Sequence, residues 1–412
     1  MPTPLPPPPT SGDRTRLAVF IGSGDAGTVN LLKGTGAKAT RVTLEWSRVE
    51  ANFTNPPTYD FYLDSLLAAL GAAGISPLVE IRNNPSWASS TNCGPIDKPG
   101  GQAAFSRFVQ AIVSRYSRAP YNVKQWEFYN EADNRDMVTL GLWLGGCWGD
   151  YPAQYASMLQ AAYSAVKAAD PAAQVLTGGL AHENTASFNM SFIDQILAAG
   201  AGNYFDVLNI HYFSSFEFAW SASGVDIIGK VQAVRQKMAN YGVSKPVAVT
   251  EASWTSTPSN SPNFAAANGE AQSRYVAKLL SRSLSLNLHM VVWFSLADWA
   301  GAGYPYGLLN VNNQQRPSYS AFQEASRQFD GAEFVRAVSP GDVGVTGGIE
   351  GYAFNAGGRW LWALWATGEP LAVTVPGAAS SARNKMGQTI PLAGGGNPTS
   401  LQLDDSPIFV RF

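Results

Sequence analysis

Three observations make a (β/α)8 barrel followed by a small β-sandwich the fold class this chain predicts. Eight β-rich apolar runs alternate with helical stretches between residues 14 and 334. Within the helical stretches, apolar residues recur at three- and four-residue spacing. From residue 335 to residue 412 that period is lost, and short alternating runs are separated by glycine-rich turns.

Taken in order, the strands read "LAVFIG" (17–22), "ATRVTLEW" (39–46), "ISPLVEIR" (75–82) and "VKQWEFYN" (123–130). They continue with "AQVLTGG" (173–179), "FDVLNIHYF" (205–213), "KPVAVTEASW" (245–254) and "HMVVWFSLAD" (289–298). Helical segments such as "YLDSLLAALGAAG", "QAAFSRFVQAIVSRYS", "YPAQYASMLQAAYSAVKAA" and "GEAQSRYVAKLLSRSLSL" separate them. The closing texture is "GGIEGYAFNAGGRWLWALWATGEPLAVTVPG" and "LQLDDSPIFVRF", read as the sandwich, with Trp360, Trp362 and Trp365 in its core. Ahead of the barrel, "MPTPLPPPPTSG" reads as an extended Pro-rich tether over residues 1–13. Such a tether favours a protein that is secreted or attached to the cell surface.

Composition narrows the function classes. The net charge is −2, only 14% of residues are charged and no basic run occurs, which disfavours nucleic acid and anionic membrane as partners. No apolar stretch is long enough to span a membrane. The two cysteines form no CxxC pair and the three histidines (His182, His211, His289) are scattered, so no metal site and no cofactor is expected. Cys93 and Cys147 fall in loops after the third and fourth strands, on one barrel face. In an oxidising compartment they pair and pin those loops together; two free thiols is the alternative. A monomer is expected.

"GSGDAG" (22–27) follows a strand and fits the dinucleotide pattern, with Glu45 near the distance of a ribose contact. The helical stretch behind it is short and broken by glycine, and the number of β/α units exceeds a doubly wound half. A dinucleotide-dependent enzyme is therefore the weaker reading.

In a barrel, catalytic residues sit where strands end. The fourth strand ends on Asn130-Glu131, and "VAVTEASW" ends the seventh on Glu251. Two glutamates from nearly opposite strands, without a Ser/His/Cys nucleophile set, point to glycosidic bond cleavage. That chemistry needs one protonated and one ionised carboxyl. Glu127 shares strand parity with Glu131 and is expected inside the barrel, paired with Arg41 or Arg82; Glu80 and Glu45 are expected in similar structural roles.

"WEFYNEAD" and "VTEASW", about 120 residues apart, resemble the acid/base and nucleophile motifs of clan A glycoside hydrolases. The nearest resemblance is to family 39 and its bacterial exopolysaccharide-hydrolase relatives. It extends through "RVTLEWSRVE", "PLVEIRNNPSWAS", "YGLLN" with "RPSYSAF", and "SPIFVRF". The resemblance implies a retaining enzyme with Glu131 as acid/base and Glu251 as nucleophile. Asn130 would bind the substrate 2-hydroxyl, Arg41 would keep Glu251 ionised, and His211 would occupy the family's strand-six position. The family often has a tyrosine two residues beyond that histidine. This chain has Phe213 there and Tyr212 beside it, and "NEAD" replaces the commoner Asn-Glu-Pro.

Sugar faces pack on indole, so Trp87, Trp254 and Trp299, all following predicted strand ends, are candidate binding residues, with Trp143 and Trp148 behind them. Trp293, inside the eighth strand, is expected to pack the barrel. The expected partner is a carbohydrate. A catalytically silent carbohydrate-binding barrel is the alternative from another class.

Overall fold

A computed structural model describes residues 16–135, 147–183, 187–258, 267–300, 304–377, 379–392 and 399–412. The Pro-rich segment 1–13 and Trp143 lie outside the described residues.

Eight parallel strands form the barrel: β1 (Arg16–Gly22), β2 (Ala39–Glu45), β3 (Ser76–Arg82), β4 (Gln125–Asn130), β5 (Gln174–Gly179), β6 (Leu208–Phe213), β7 (Val247–Ser253) and β8 (Met290–Trp293). They run in the order β5-β4-β3-β2-β1-β8-β7-β6, and bridges from Leu176 to Val207 and from Leu180 to Ile210 close the circle. The helices between and after them are α1 (Ala26–Gly34), α2 (Trp46–Val49), α3 (Asp64–Ala72), α4 (Gly101–Tyr116), α5 (Pro152–Ala169), α6 (Phe192–Ala198), α7 (Asp226–Asn240), α8 (Gly269–Ser285) and α9 (Pro317–Gln328). A closed parallel barrel excludes the doubly wound sheet that a dinucleotide fingerprint needs. The "GSGDAG" segment instead supplies Asp25, whose carboxylate caps α1 by accepting from the Thr28 N–H at 2.9 Å.

Alternation along the strands sorts the interior. Ala18, Ala39, Leu78, Leu176, Val207, Ala248, Met290 and Val292 form an apolar floor inside the barrel, while the intervening residues pack outward against the helices. Above the floor the same inward parity brings up Arg41, Glu80, Glu127, Asn209 and His211, all buried. A polar layer resting on an apolar plug points the chemistry at the strands' C-terminal ends.

The eighth strand was expected to run to Asp298, but it stops at Trp293. Beyond it the backbone takes other partners: Leu296 N–H donates to Phe20 O at 2.9 Å and Asp298 N–H to Leu309 O at 3.1 Å. Trp293 is fully buried, its indole N–H donating to Tyr306 O.

The C-terminal strands are β9 (Ala332–Ala337), β10 (Ile349–Ala356), β11 (Trp360–Ala366), β12 (Leu371–Val375), β13 (Ser381–Asn384), β14 (Thr389–Ile390), β15 (Thr399–Leu403) and β16 (Ile408–Arg411). They make a six-stranded antiparallel sheet, β14-β13-β16-β11-β10-β9, and a two-stranded ladder, β12-β15. Every residue of β11 is buried, because the strand has a core on each face. Trp360 and Trp362 pack within the sandwich. Trp365 has the opposite parity and faces α8, where Arg282 lies 5.7 Å from its ring centre, so it belongs to the seam with the barrel.

Candidate active site

Arg41 of β2 is the centre of the polar layer. Its Nε and Nη2 donate to the two oxygens of Glu127, each at 2.8 Å, its Nη1 donates to Glu251 Oε1 at 2.7 Å, and its Nη2 also reaches Asn130 Oδ1 at 2.8 Å. Glu80 stands 3.6 Å from the same guanidinium and accepts from Thr43 Oγ1 at 2.8 Å. One planar fork thus fixes side chains from three other strands, which a lysine could not do. Burial pushes the Arg41 pKa down, but the carboxylates of Glu127, Glu80 and Glu251 outweigh it, and the net shift is upward. Both expected partners of Glu127 were strand-borne arginines; Arg41 is the one it holds, while Arg82 lies 3.6 Å from Glu80. Glu45 accepts from Asn83 Nδ2 at 2.7 Å.

Strict alternation would send Asn130 and Glu131 to opposite faces of β4. Two non-glycine residues in the left-handed region, Tyr129 at φ 69° and Glu131 at φ 44°, break it. Such backbone costs about 1–3 kcal/mol per residue and persists where surrounding contacts over-determine it. Here the Tyr129 hydroxyl donates to Asn84 Oδ1 at 2.6 Å and Glu131 N–H donates to Gly179 O at 2.9 Å. On β7 the register slips against both neighbours, with Ile210 opposite Val249 but His211 opposite Glu251. That bulge re-aims the strand, so that Thr250, whose hydroxyl accepts from Asn209, and Glu251 both turn inward.

The result sets the two glutamates facing each other with His211 beside them. Glu131, His211 and Glu251 each offer an atom within 4.8 Å of the others. His211 Nδ1 is 3.2 Å from Glu131 Oε1 and 3.7 Å from Glu251 Oε2. Burial pushes the His211 pKa down to about 4, so the ring is neutral at pH 7. Among the described residues its Nε2 has no hydrogen-bond partner, and with the proton on Nδ1 the ring is a donor to Glu131. The ring fits only because residue 179 is glycine: a Cβ there would lie 2.0 Å from His211 Nε2.

The carboxyls have different surroundings. Burial pushes Glu131 up to about 7, although 29% of its side chain stays open to the cleft. Glu251 is also raised by burial, and the adjacent His211 ring and Arg41 guanidinium pull it back toward the ionised form. Among the described residues, Glu251 is the one of the two with a cation in hydrogen-bond contact. The three donors are of metal-ligating type, but a divalent ion here would sit beside a guanidinium already bonded to one of them, which Coulomb repulsion opposes.

Sequence reading missed a further layer behind Glu131. Asp133 accepts from the Ala181 and His182 N–H groups at 3.0 and 2.7 Å, clipping the end of β4 to the end of β5. Lys230 of α7, fully buried, donates to Ala181 O and stands 3.7 Å from Glu183 Oε1. Burial raises Asp133 to about 7 and Glu183 to about 8 and lowers Lys230. A lone lysine in an amphipathic helix gives no sequence signal of facing a cleft.

The aromatic candidates part company. Trp299 is 52% exposed and stands edge-on to Phe294, 5.8 Å between ring centres. Trp87 is half-buried against Trp46 and Phe53, its indole N–H donating to Glu50 O. Trp254 follows the bulge of β7, which turns it outward, and packs on Tyr275 of α8. Trp148 is wholly buried between Tyr129 and Tyr155. Tyr212 also points outward, donating to Asp226 Oδ1 at 2.7 Å, so it does not reach Glu251; Phe213 instead joins Phe294 and Tyr306 in an aromatic wall. Cys93 and Cys147 are joined in a disulfide with Cα atoms 4.6 Å apart.

Among solved structures, the chain superposes on a family 39 glycoside hydrolase from Bacteroides cellulosilyticus at 17% identity and TM-score 0.69, covering 97% of this chain and 81% of that one. The catalytic domain of GH30 xylanase C from Talaromyces cellulolyticus matches at 16% and TM-score 0.66, with 97% of each chain covered. A GH39 β-xylosidase from Caulobacter crescentus matches at 17% and TM-score 0.64, covering 98% of this chain and 97% of that one. The fold is that of the family 39 and family 30 glycoside hydrolases. No protein-family model and no curated protein sequence matches the chain.

Proposed function

We propose that this protein is a retaining glycoside hydrolase acting on an oligo- or polysaccharide, with Glu131 as acid/base and Glu251 as nucleophile. The observation that carries the reading is the asymmetry of two opposed carboxyls whose oxygens lie within 4.8 Å, one bonded to Arg41 and the other not. Retaining enzymes hold their carboxyls about 5–5.5 Å apart, close enough for direct attack on the sugar, whereas inverting enzymes leave room for a water.

In the first step Glu251 attacks the anomeric carbon as the glycosidic C–O bond breaks, and Glu131 gives its proton to the leaving oxygen. In the second, Glu131, now ionised, takes a proton from water as that water attacks the same carbon and Glu251 leaves. Asn130, held by Arg41, is placed to bond the 2-hydroxyl, a contact that strengthens as charge builds on the ring. The fold likeness supports the reading, since the similar structures are described as a xylanase, a β-xylosidase and a glucosidase. The disulfide and the Pro-rich segment support an extracytoplasmic location. Among the described residues no helix is long and apolar enough to cross a membrane.

The test is a screen of aryl glycosides and plant and bacterial polysaccharides with wild type, Glu131→Ala and Glu251→Ala. Sugar release by wild type that each variant reduces by at least a hundredfold is expected. Equal cleavage by all three proteins would refute the assignment, and binding without any cleavage would favour the silent carbohydrate-binding reading.

A further inference from the structure

We propose that Asn84, in the segment after β3, is a positioning residue for the acid: by holding the Tyr129 hydroxyl it sets the direction in which Glu131 leaves β4, and the Cys93–Cys147 cross-link holds Asn84 in turn. This rests on the hydrolase reading and deepens it, naming what aims the carboxyl that gives the proton.

The two glutamates are held in different ways. Glu251 is gripped at its carboxylate by Arg41 at 2.7 Å. Among the described residues, the Glu131 carboxyl meets one hydrogen-bonding group, His211 Nδ1 at 3.2 Å, and 29% of its side chain stays open. The aim of Glu131 is therefore set by its backbone. That backbone contains the left-handed residues Tyr129, at φ 69°, and Glu131, at φ 44°, a conformation that persists only where neighbouring contacts enforce it.

The contacts come from the loop after β3. Asn84 is buried, and both ends of its amide are used. Oδ1 accepts from the Tyr129 hydroxyl at 2.6 Å, while Nδ2 donates to Thr91 O at 3.2 Å and to Gly94 O at 3.0 Å. Two carbonyls on one side and a hydroxyl on the other fix which end of the amide is which, and no aliphatic side chain could serve all three. The Asn84 backbone N–H donates to Asn92 O at 2.6 Å, so Asn84 and residues 91–94 close a small ring of bonds around Cys93.

The cross-link ties that ring to the far side of the same turn. From Cys147 onward, three successive N–H groups donate to the chain just beyond Glu131: Cys147 and Gly149 to Asn134 O, at 3.0 and 2.9 Å, and Trp148 to Ala132 O at 3.0 Å. The Trp148 ring stands edge-on to Tyr129, 5.1 Å between centres. A Cβ on Gly94 would lie 3.1 Å from Cys147 O, so the two loops touch at the disulfide. Glu131 thus sits between two anchored points, Tyr129 before it and Ala132 after it, and both lead back to the cross-link.

The experiment measures kcat/KM, which reports the glycosylation step, on phenyl and dinitrophenyl glycosides of the smallest sugar that wild type releases. The phenyl leaving group needs the acid and the dinitrophenyl one does not. A misplacement near 1 Å can cost about a hundredfold. Tyr129→Phe and Asn84→Ala should therefore each lower kcat/KM at least tenfold on the phenyl glycoside and less than threefold on the dinitrophenyl one. The two changes together should lose no more than the worse one alone, because both remove the same contact. The Cys93→Ser, Cys147→Ser double variant should lower the same phenyl-to-dinitrophenyl ratio. Packing alone would slow both substrates equally. Such an equal loss, or a loss below tenfold on the phenyl glycoside in Tyr129→Phe, overturns the proposal while leaving the hydrolase reading intact, and Tyr129→Phe decides by itself if Asn84→Ala does not fold. An unchanged ratio in the cysteine variant overturns the part given to the cross-link. If wild type cuts no glycan or glycoside, the hydrolase reading fails, and the positioning role with it.

Discussion

The protonation of Glu131 gives the most direct test of the site. As the acid that protonates the leaving oxygen, Glu131 works only while it carries its proton, and burial places its pKa at about 7. At pH 8 about one molecule in eleven keeps that proton and at pH 9 about one in a hundred, so kcat/KM should fall roughly tenfold per unit above neutrality. The fall belongs to substrates with a poor leaving group; a dinitrophenyl glycoside, whose leaving group needs no proton, should show a flat alkaline limb in the glycosylation step. Glu131→Gln removes the transferable proton at nearly constant shape. It should cost about 10²–10⁴ in kcat/KM for the poor leaving group and much less for the activated one. Stability carries the same signature. A carboxyl raised from 4.5 to about 7 favours the folded state fully below the unfolded pKa and loses that contribution as pH rises through the folded one. The loss is no more than about 3 kcal/mol. Because 29% of the side chain is exposed, solvent screening trims that figure. Denaturation midpoints between pH 4 and pH 8 would record it, and Glu131→Gln should flatten the dependence. An alkaline limb that is identical for both leaving groups, or that survives Glu131→Gln, would refute the assignment of the acid.

Three further outcomes follow from the surrounding layers. Lys230→Met removes a buried cation behind Glu131, so the alkaline limb should move up in pH by roughly half to one unit, whereas Glu183, raised by burial to about 8, is mostly protonated where Glu131 titrates, and Glu183→Gln should leave the limb nearly in place; an unmoved limb in Lys230→Met would mean the lysine acts only through packing. Gly179→Ala drives a Cβ to 2.0 Å from His211 Nε2, and displacement of that ring should lower both kcat/KM and the melting temperature, at about 1–3 kcal/mol of overpacking; a variant with wild-type kinetics would show that His211 does not position the carboxyls. The disulfide spans a sequence separation of 54, for which the chain-entropy relation gives roughly 4 kcal/mol. Urea unfolding of a Cys93→Ser, Cys147→Ser double variant should show a loss of that order, and an unchanged midpoint would refute the cross-link's contribution.

What the sequence determined by itself was the periodic part. Eight apolar β runs and the helical spacing between them required a closed β/α layer, and the loss of that period near residue 335 signalled the antiparallel strands that follow. The strand-terminal position of Glu131 and the approach of Glu251 were legible too, because in a barrel the end of a strand is a place. Direction was not. Alternation alone would have turned Glu131 or Asn130 away from the cleft, and Glu251 out of it; two left-handed residues on β4 and a bulge on β7 reverse that, and neither has a reliable local signal when no glycine marks it. The same limit explains Tyr212, which follows plain parity outward to Asp226, and Trp254, which shares the parity of the inward Ala248 and is turned outward to Tyr275 by the bulge on β7. Lys230 and Glu183 meet only because α7 brings its lysine to the segment after β5, where it also donates to Ala181 O, and a contact between a helix face and a loop leaves no trace in spacing. Period fixes which residues share a face, since it is set by backbone geometry repeated along one segment; which faces meet, and how a charge is shared across them, is decided only when distant segments pack.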